Sequence, residues 1–389
     1  MKPGVVHAEE FDRLLYAATP WIDVRAEVEF AHGALPGAVN LPILNTAERE
    51  RVGTCYKREG QQAAIALGHR LVGGAVREQR TARWCEFLRA HPDAVLHCWR
   101  GGLRSQLAAD WIAAEGVAVR VVAGGYKALR NHVLREIEEP SPAAPLVVIG
   151  GRTGSAKTVL IRELPGGIDL EGFARHRGSS FGRRVGAPPA QADFENALAV
   201  ALLRQRIDAP GAVLLLEDES RQIGPVTVPP ELHRAMKAAP LVILESRFEE
   251  RVERILAEYV HEDLAGWLAA DPDGGFERFA RALLDGLGRI QRRLGGERHR
   301  EAEGLLRTAL YAHERSGGTH AHRDWIALLL REYYDPMYEF QLAKAEGRVV
   351  FRGDYAAVRE WCREQGTGYG RTPLEPARSM DYSAAGETR

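Results

Sequence analysis

One cysteine stands apart by its neighbours. In HCWRGGLRS (97–105), Cys98 ends the apolar run AVLHC (94–98), and two glycines lead from it into a helix-like segment. Successive backbone N–H groups can then curl around one point, and such a nest binds an oxyanion and favours a thiolate. Arg100 and Arg104 act in the same direction, so Cys98 is a nucleophile candidate with two arginines as anion partners. The alternative is a small buried residue at a strand end, which a Gly-Gly pair between arginines suits poorly. Cys55 sits in an apparent loop, and Cys85 and Cys362 each follow a tryptophan on helix-like segments. All three read as structural.

A second constellation lies in LVVIGGRTGSAKTVLI (146–161): an apolar strand, a Gly-rich turn, and Lys-Thr opening a helix. This arrangement wraps backbone N–H groups around a diphosphate. Gly151, Thr153, Gly154, Ser155, Lys157 and Thr158 would form that site. Lys157 meets the terminal phosphates, and Thr158 is placed to ligate Mg²⁺ together with Asp218. Ala156 stands where the Walker A pattern wants glycine, which either tightens the loop or forces a costly backbone conformation. The strand AVLLLEDE (212–219) ends in Glu217, Asp218 and Glu219, candidates for acid/base work or a metal shell; a strand-end carboxylate cluster is otherwise a solvated cap.

Both constellations need parallel sheets to hold them. Short apolar runs alternate with helix-period segments through WIDV (21–24), Gln61 to Leu71, Arg77 to Arg89, AVLHC, Ser105 to Ala114 and VAVRVVAGG (117–125). That alternation is α/β with a parallel sheet. EEPSPAAP (138–145) interrupts the pattern, and a second α/β set follows with strands LVVIG (146–150), AVLLLEDE and PLVILES (240–246). The expected organisation is an N-terminal domain over 1–140, a P-loop α/β domain over 141–250, an arginine-rich helical part over 251–371 packed with it, and a disordered tail over 372–389.

At 389 residues the chain is long enough for two or three such cores. The formal charge of −1 gives no whole-molecule reason to expect nucleic acid, though a local basic face stays open. Four scattered cysteines without a CxxC pair argue against a zinc knuckle or a disulfide framework. No apolar run of membrane-spanning or signal-peptide length occurs, and the expectation is a cytoplasmic protein.

The string IDVRAEVEFAHGALPGAVNLP (22–42), taken with CWRGGLRS, resembles a rhodanese domain. The resemblance implies that Asp23 and Arg25 sit beside the active loop and that Cys98 carries a persulfide or its selenium analogue. The CxxxxxR spacing from Cys98 to Arg104 is one residue longer than in ordinary sulfurtransferases and resembles rhodanese-like phosphatases, whose wider N–H ring admits a tetrahedral anion. Nearly the whole chain is similar to one family, the tRNA 2-selenouridine synthases. The strings that carry this likeness are VGTCYKREG (52–60), CWRGGLRSQ (98–106), GGYKALR (124–130), HRGSSFG (176–182), EDESRQIG (217–224), RLGGERH (293–299) and YYDPMYEFQ (333–341).

That resemblance implies a transferase acting on tRNA with 2-thiouridine at the wobble position. Geranyl diphosphate first alkylates the sulfur, and selenium from selenophosphate then displaces the geranylthio group. No tightly bound cofactor is implied beyond Mg²⁺. For RNA phosphates the candidates are His176, Arg177, Arg183 and Arg184, and a second cluster of Arg289, Arg292, Arg293, Arg298 and Arg300; arginine-rich helix faces are otherwise solvated or paired with glutamates. Tyr333, Tyr334 and Tyr338 either stack a base or pack a helix. The competing readings are an NTPase or kinase with a rhodanese-type regulatory or phosphatase domain, and a non-catalytic tRNA-binding module.

Overall fold

The computed structural model describes residues 2–138 and 145–368. The boundary expected in EEPSPAAP falls largely outside the described residues, and the tail over 372–389 falls wholly outside them. Packing divides the chain into two compact units: Met1–Pro142 with Pro189–Asp208, and Ala143–Pro188 with Ala209–Arg389.

The first unit is a parallel sheet of β1 (Gly4–Val6), β2 (Trp21–Asp23), β3 (Ala38–Asn40), β4 (Val95–His97) and β5 (Arg120–Val122), in the order β1-β5-β4-β2-β3. Its central strands are wholly buried, as a parallel sheet covered on both faces requires. Ile22, Val24, Leu96, Ile112 and the stacked pair Trp84 and Trp111 fill its core; each such side chain contributes about 1.5–3 kcal/mol through burial. Between β3 and β4 runs a helical hairpin, Thr46–Glu59 and Gln61–Leu71. Asn45 and Glu48 cap its first helix reciprocally, with Glu48 N donating to Asn45 Oδ1 and Asn45 N to Glu48 Oε2, both at 2.8 Å. Cys55 lies in that helix, not in a loop.

Residues 189–208, which sequence order puts inside the P-loop domain, belong to this first unit. Helix Gln191–Asp208 packs along Gly125–Glu138. Asn196 is fully buried there, its Nδ2 donating to Ala34 O at 2.7 Å and to Tyr126 Oη at 3.0 Å, while Asp193 Oδ1 accepts from Ala34 N at 2.8 Å. The correction follows from these long-range polar contacts, which no local pattern announces.

The second unit holds β6 (Leu146–Gly150), β7 (Gly167–Ile168), β8 (Leu214–Glu217), β11 (Leu241–Leu244) and β12 (Val349–Gly353), all parallel in the order β12-β11-β6-β8-β7, and a small antiparallel pair, β9 (Gln222–Ile223) and β10 (Val226–Thr227). The region after Arg251 reads as helical throughout, yet β12 returns there to extend the sheet. Its run is too short and mixed to betray a strand without its partner β11. Two helices of this region carry π turns, Ala257–Glu262 and Leu330–Tyr334. Among the described residues no helix is long and apolar enough to cross a membrane.

Candidate functional sites

Cys98 follows β4 at the carboxyl end of the sheet, where open α/β folds place their ligands. Its side chain is buried, and Sγ donates to Ser105 Oγ at 3.2 Å while that hydroxyl donates to Gly102 O at 2.9 Å. The loop leans on the Gly124–Gly125 turn. Tyr126 N donates to Cys98 O at 2.8 Å and Lys127 N to Trp99 O at 3.0 Å. Gly101 and Gly125 have φ of 66° and 62°, and a Cβ on Gly125 would lie 2.5 Å from the Gly101 nitrogen. Only paired glycines permit that approach.

The charges beside the loop are matched. Arg25 and Asp23 form a fully buried ion pair at 2.6 Å, Arg25 Nη2 also donates to Gly33 O at 2.8 Å, and its guanidinium lies 4.0 Å from the centre of the Tyr126 ring. Burial pushes the neighbouring His97 imidazole below its ordinary pKa, so it stays neutral. Arg104, expected as a free anion partner, is held by Glu29 through contacts of 2.6 and 3.2 Å. Its burial opposes the charge, but the Glu29 hydrogen bonds and charge, with Cys98 close by, raise its pKa. Arg100 is exposed beside Gly124 and Lys127. Ser105 and Glu29 escaped sequence reasoning; the serine directly after the CxxxxxR run was the available signal for the first.

In the second unit the Gly-rich turn leaves β6 and enters helix Lys157–Glu163. Ala156 adopts φ 71° and ψ 28°, a left-handed conformation and so the costly one of the two alternatives its replacement of glycine left open, at about 1–2 kcal/mol. Lys157 Nζ donates to Gly151 O at 2.9 Å, folded back over the turn. Arg251 Nε donates to Thr153 O at 2.9 Å and its guanidinium pairs with Asp335 of the YYDPMYEFQ string. Gly151, Thr153, Gly154, Ser155, Lys157 and Thr158 all line one cavity of about 350 Å³, together with Glu258, Tyr259, Tyr333 and Tyr334 from the two π turns. π turns recur at functional sites.

The carboxylates are arranged differently from the sequence expectation. Asp218, paired with Thr158 in that expectation as a Mg²⁺ ligand, is engaged by Lys237 Nζ at 2.9 Å. Glu217 and Glu219 instead gather with Glu171, which sequence reasoning missed because it lies on another segment, Leu170–Ala174. One oxygen of each lies within 4.8 Å of the others. Thr158 Oγ1 donates to Glu171 Oε2 at 3.2 Å. Glu217 is wholly buried, and among the described residues no donor lies in hydrogen-bonding geometry with either of its oxygens. Burial raises all three carboxyls; the Glu171 charge adds to this at Glu217, well above the ordinary range, and at Glu219, raised to about 8, while Asp169 and Glu258 add to it at Glu171. Oxygen-only ligands beside a P-loop threonine fit a hard divalent cation.

The candidate RNA contacts converge in part. His176 and Arg183 form a β-bridge, and Arg289 Nη1 donates to Ser180 O at 2.6 Å, so the second arginine cluster meets the HRGSSFG segment. Burial, then Arg289, Arg184, Arg177 and Arg183 around it, lowers the His176 pKa. Arg293 lines the P-loop cavity, Arg183 and Arg292 are exposed, Arg184 is half-buried, and Arg298 pairs with Glu332 at 2.9 Å. Arg177 departs from expectation: it is buried, bonded to Asp263 at 2.7 Å and Glu262 at 3.2 Å, and stacked over Tyr259. Its charge is spent inside the protein. Tyr333 and Tyr334 pack edge-to-face in the helical core, and Tyr338 is half-buried at the cavity wall.

Residues 7–132 match the family described as rhodanese-like domain, and residues 144–368 match the family described as tRNA 2-selenouridine synthase AAA domain. Over 354 residues the chain is 51% identical to a protein of Hahella chejuensis named tRNA 2-selenouridine synthase, covering 91% of this chain and 93% of that one. Proteins of the same name from Shewanella loihica (46% identical, 94% and 98% covered) and Pseudomonas syringae pv. tomato (48%, 92% and 98%) align over similar lengths.

Proposed function

The chain belongs to the tRNA 2-selenouridine synthase family, and we propose that it converts 2-thiouridine at the tRNA wobble position to 2-selenouridine by way of the S-geranyl nucleoside. The observation that carries this reading is the pairing, in one chain, of a buried cysteine loop at a sheet's carboxyl end and a P-loop cavity lined by Lys157 and Thr158.

In the first step the thiocarbonyl sulfur attacks C1 of geranyl diphosphate. A C–S bond forms, the C–O bond breaks, diphosphate leaves, and the N3 proton is released. Lys157 and the backbone of 151–158 bind the leaving diphosphate, and a charge held there favours departure. A divalent cation held by Thr158, Glu171, Glu217 and Glu219 would add positive charge beside that diphosphate.

S-alkylation turns a poor leaving group into a better one and makes C2 more electrophilic. In the second step selenium of selenophosphate forms the C2–Se bond as the C2–S bond breaks. Geranylthiolate leaves and takes a proton, and water cleaves the P–Se bond to give phosphate. The loop from Cys98 to Arg104 supplies the N–H ring for the tetrahedral anion, with Sγ at its centre and Arg100 at its open side. His176, Arg183, Arg289, Arg292 and Arg293 are placed to meet RNA phosphates.

The test is nucleoside mass spectrometry of 2-thiouridine tRNA incubated with protein, geranyl diphosphate and selenophosphate. Wild type should give 2-selenouridine, Cys98→Ala should stop at the geranylated nucleoside, and Lys157→Ala should leave 2-thiouridine. If tRNA binds but 2-thiouridine persists with wild type while ATP or GTP is turned over, the chain works as an NTPase and this reading fails.

A further inference from the structure

The string VGTCYKREG and the helical hairpin it opens have no part in either step described above. The hairpin nevertheless encloses a cavity of about 730 Å³ against the first turns of helix Leu103–Ala114, directly after the thiol loop. Ile43, Leu44, Val52, Ile65, Val72 and Leu107 wall it, and Arg49, Lys57 and Arg104 stand on its rim. Arg104 joins the two places, since it lines this cavity and its charge interacts with Cys98.

The wall chemistry discriminates between occupants. A nucleobase is held by aromatic or guanidinium faces; Tyr56, His69, Arg49 and Arg104 also line this cavity, but most of its apolar wall is branched aliphatic, which suits a flexible hydrocarbon. Gly53 and Gly68 point to an occupant as well. Both sit inside helices with ordinary φ, and both line the cavity. A Cβ on Gly53 would meet nothing within 4 Å, and one on Gly68 only Val52 Cγ2 at 4.0 Å. A helix-interior glycine is destabilising relative to alanine, and here no tight packing or backbone turn compensates. What the two glycines do is keep the cavity wide.

We propose that this cavity receives the prenyl chain of the S-alkylated base during the selenium exchange, and so holds the C2–S bond at the thiol loop. The inference rests on the two-step reading, in which the prenyl group is the one extended hydrocarbon among the reactants. In that exchange the C2–S electron pair leaves with the sulfur, the prenylthiolate takes a proton from solvent, and selenophosphate supplies the new C2–Se bond. Burying each methylene favours the longer chain by roughly fourfold, enough to favour an S-geranyl over an S-methyl substrate strongly.

The experiment uses the full chain, selenophosphate, and anticodon stem-loop RNAs carrying chemically made S-geranyl- or S-methyl-2-thiouridine. The readout is the ratio of kcat/KM for selenation of the two RNAs. Wild type should prefer the geranyl RNA by at least about tenfold. Gly53→Phe, which points a side chain into open space, and Ile65→Trp should each collapse that preference by about tenfold or more through loss on the geranyl RNA. Thermal denaturation identifies a variant that fails to fold, and Gly53→Phe then carries the test. Equal handling of both RNAs by wild type, or an unchanged ratio in both folded variants, overturns the cavity assignment while leaving the two-step reading intact. Absence of selenation of either RNA by wild type overturns the two-step reading, and this assignment with it.

Discussion

The thiol loop and the phosphate loop occupy the same address, the carboxyl ends of parallel strands, yet their charges are arranged in opposite ways. Around Cys98 each buried charge meets its opposite: Asp23 with Arg25, Glu29 with Arg104. Around Lys157 like charges crowd, with Glu171, Glu217 and Glu219 together and Ala156 held in a left-handed conformation. The first loop is complete as the polypeptide folds it. The second is under electrostatic and backbone stress that a cation or a ligand would relieve, which is how sites pre-organised for a charged ligand differ from scaffolds.

The strongest way to break this contrast is to separate the two loops by activity. Lys157→Ala should slow S-geranylation by about 10²–10³-fold, measured in single turnover by nucleoside mass spectrometry. Cys98→Ala should leave that rate within about threefold and abolish selenation. Loss of both steps from either substitution would mean that the loops act as one centre.

The matched charges of the thiol loop predict a stability signature. Arg25→Met strands the buried Asp23 carboxylate and should cost about 3–5 kcal/mol, whereas Asp23→Leu combined with Arg25→Met should recover most of that loss. Denaturant unfolding of the single and double variants measures it. A double variant as unstable as the single one would show that the pair's hydrogen bonds to Gly33 and its stacking on Tyr126, and not charge matching, hold the loop.

The crowded carboxylates predict the opposite sign. Their raised pKa values mean that the folded state holds protons that the unfolded chain has already released, so the stability they lend is full below the ordinary carboxylate range, about pH 4, and is lost as pH rises toward about 8. The thermal midpoint of cation-free protein should fall across that interval. Glu217→Gln should flatten the fall and raise the midpoint at high pH, each kcal/mol reading as roughly 2–4 °C. Mg²⁺ should restore wild type but not the variant. A flat wild-type profile would mean that these charges are compensated after all.

Much of this was legible in residue order, for a physical reason. The strands carrying Cys98 and Lys157 are continuous apolar runs, and each loop is contiguous in sequence, so its ligand-facing backbone could be read without knowing the fold. For Ala156 its place in the motif left two outcomes open, and the structure takes the left-handed one. What stayed hidden depends on contacts between distant segments. Glu171 reaches the cluster from 46 positions before Glu217, Asp218 is taken by Lys237 on a later helix, and Arg177 is neutralised by Glu262 and Asp263. The transfer of helix Gln191–Asp208 to the first unit rests on Asn196 and Asp193 meeting Ala34. Charge alone marks such residues as available; only packing says which are already spent.

The smallest expected effect tests the backbone half of the contrast. Ala156→Gly removes a methyl from a left-handed position, relieving about 1–2 kcal/mol of folded-state strain. Glycine also loosens the unfolded chain, which takes back about 0.4–1 kcal/mol. The net outcome should therefore be a gain of at most about 1.5 kcal/mol, visible as a small rise in the thermal midpoint without ligand. The gain should shrink when diphosphate is present if bound phosphate already holds the turn in this conformation. A loss of more than about 1 kcal/mol would show that the Ala156 methyl, itself buried, contributes packing that outweighs its strain. The phosphate loop would then be as complete without its ligand as the thiol loop is.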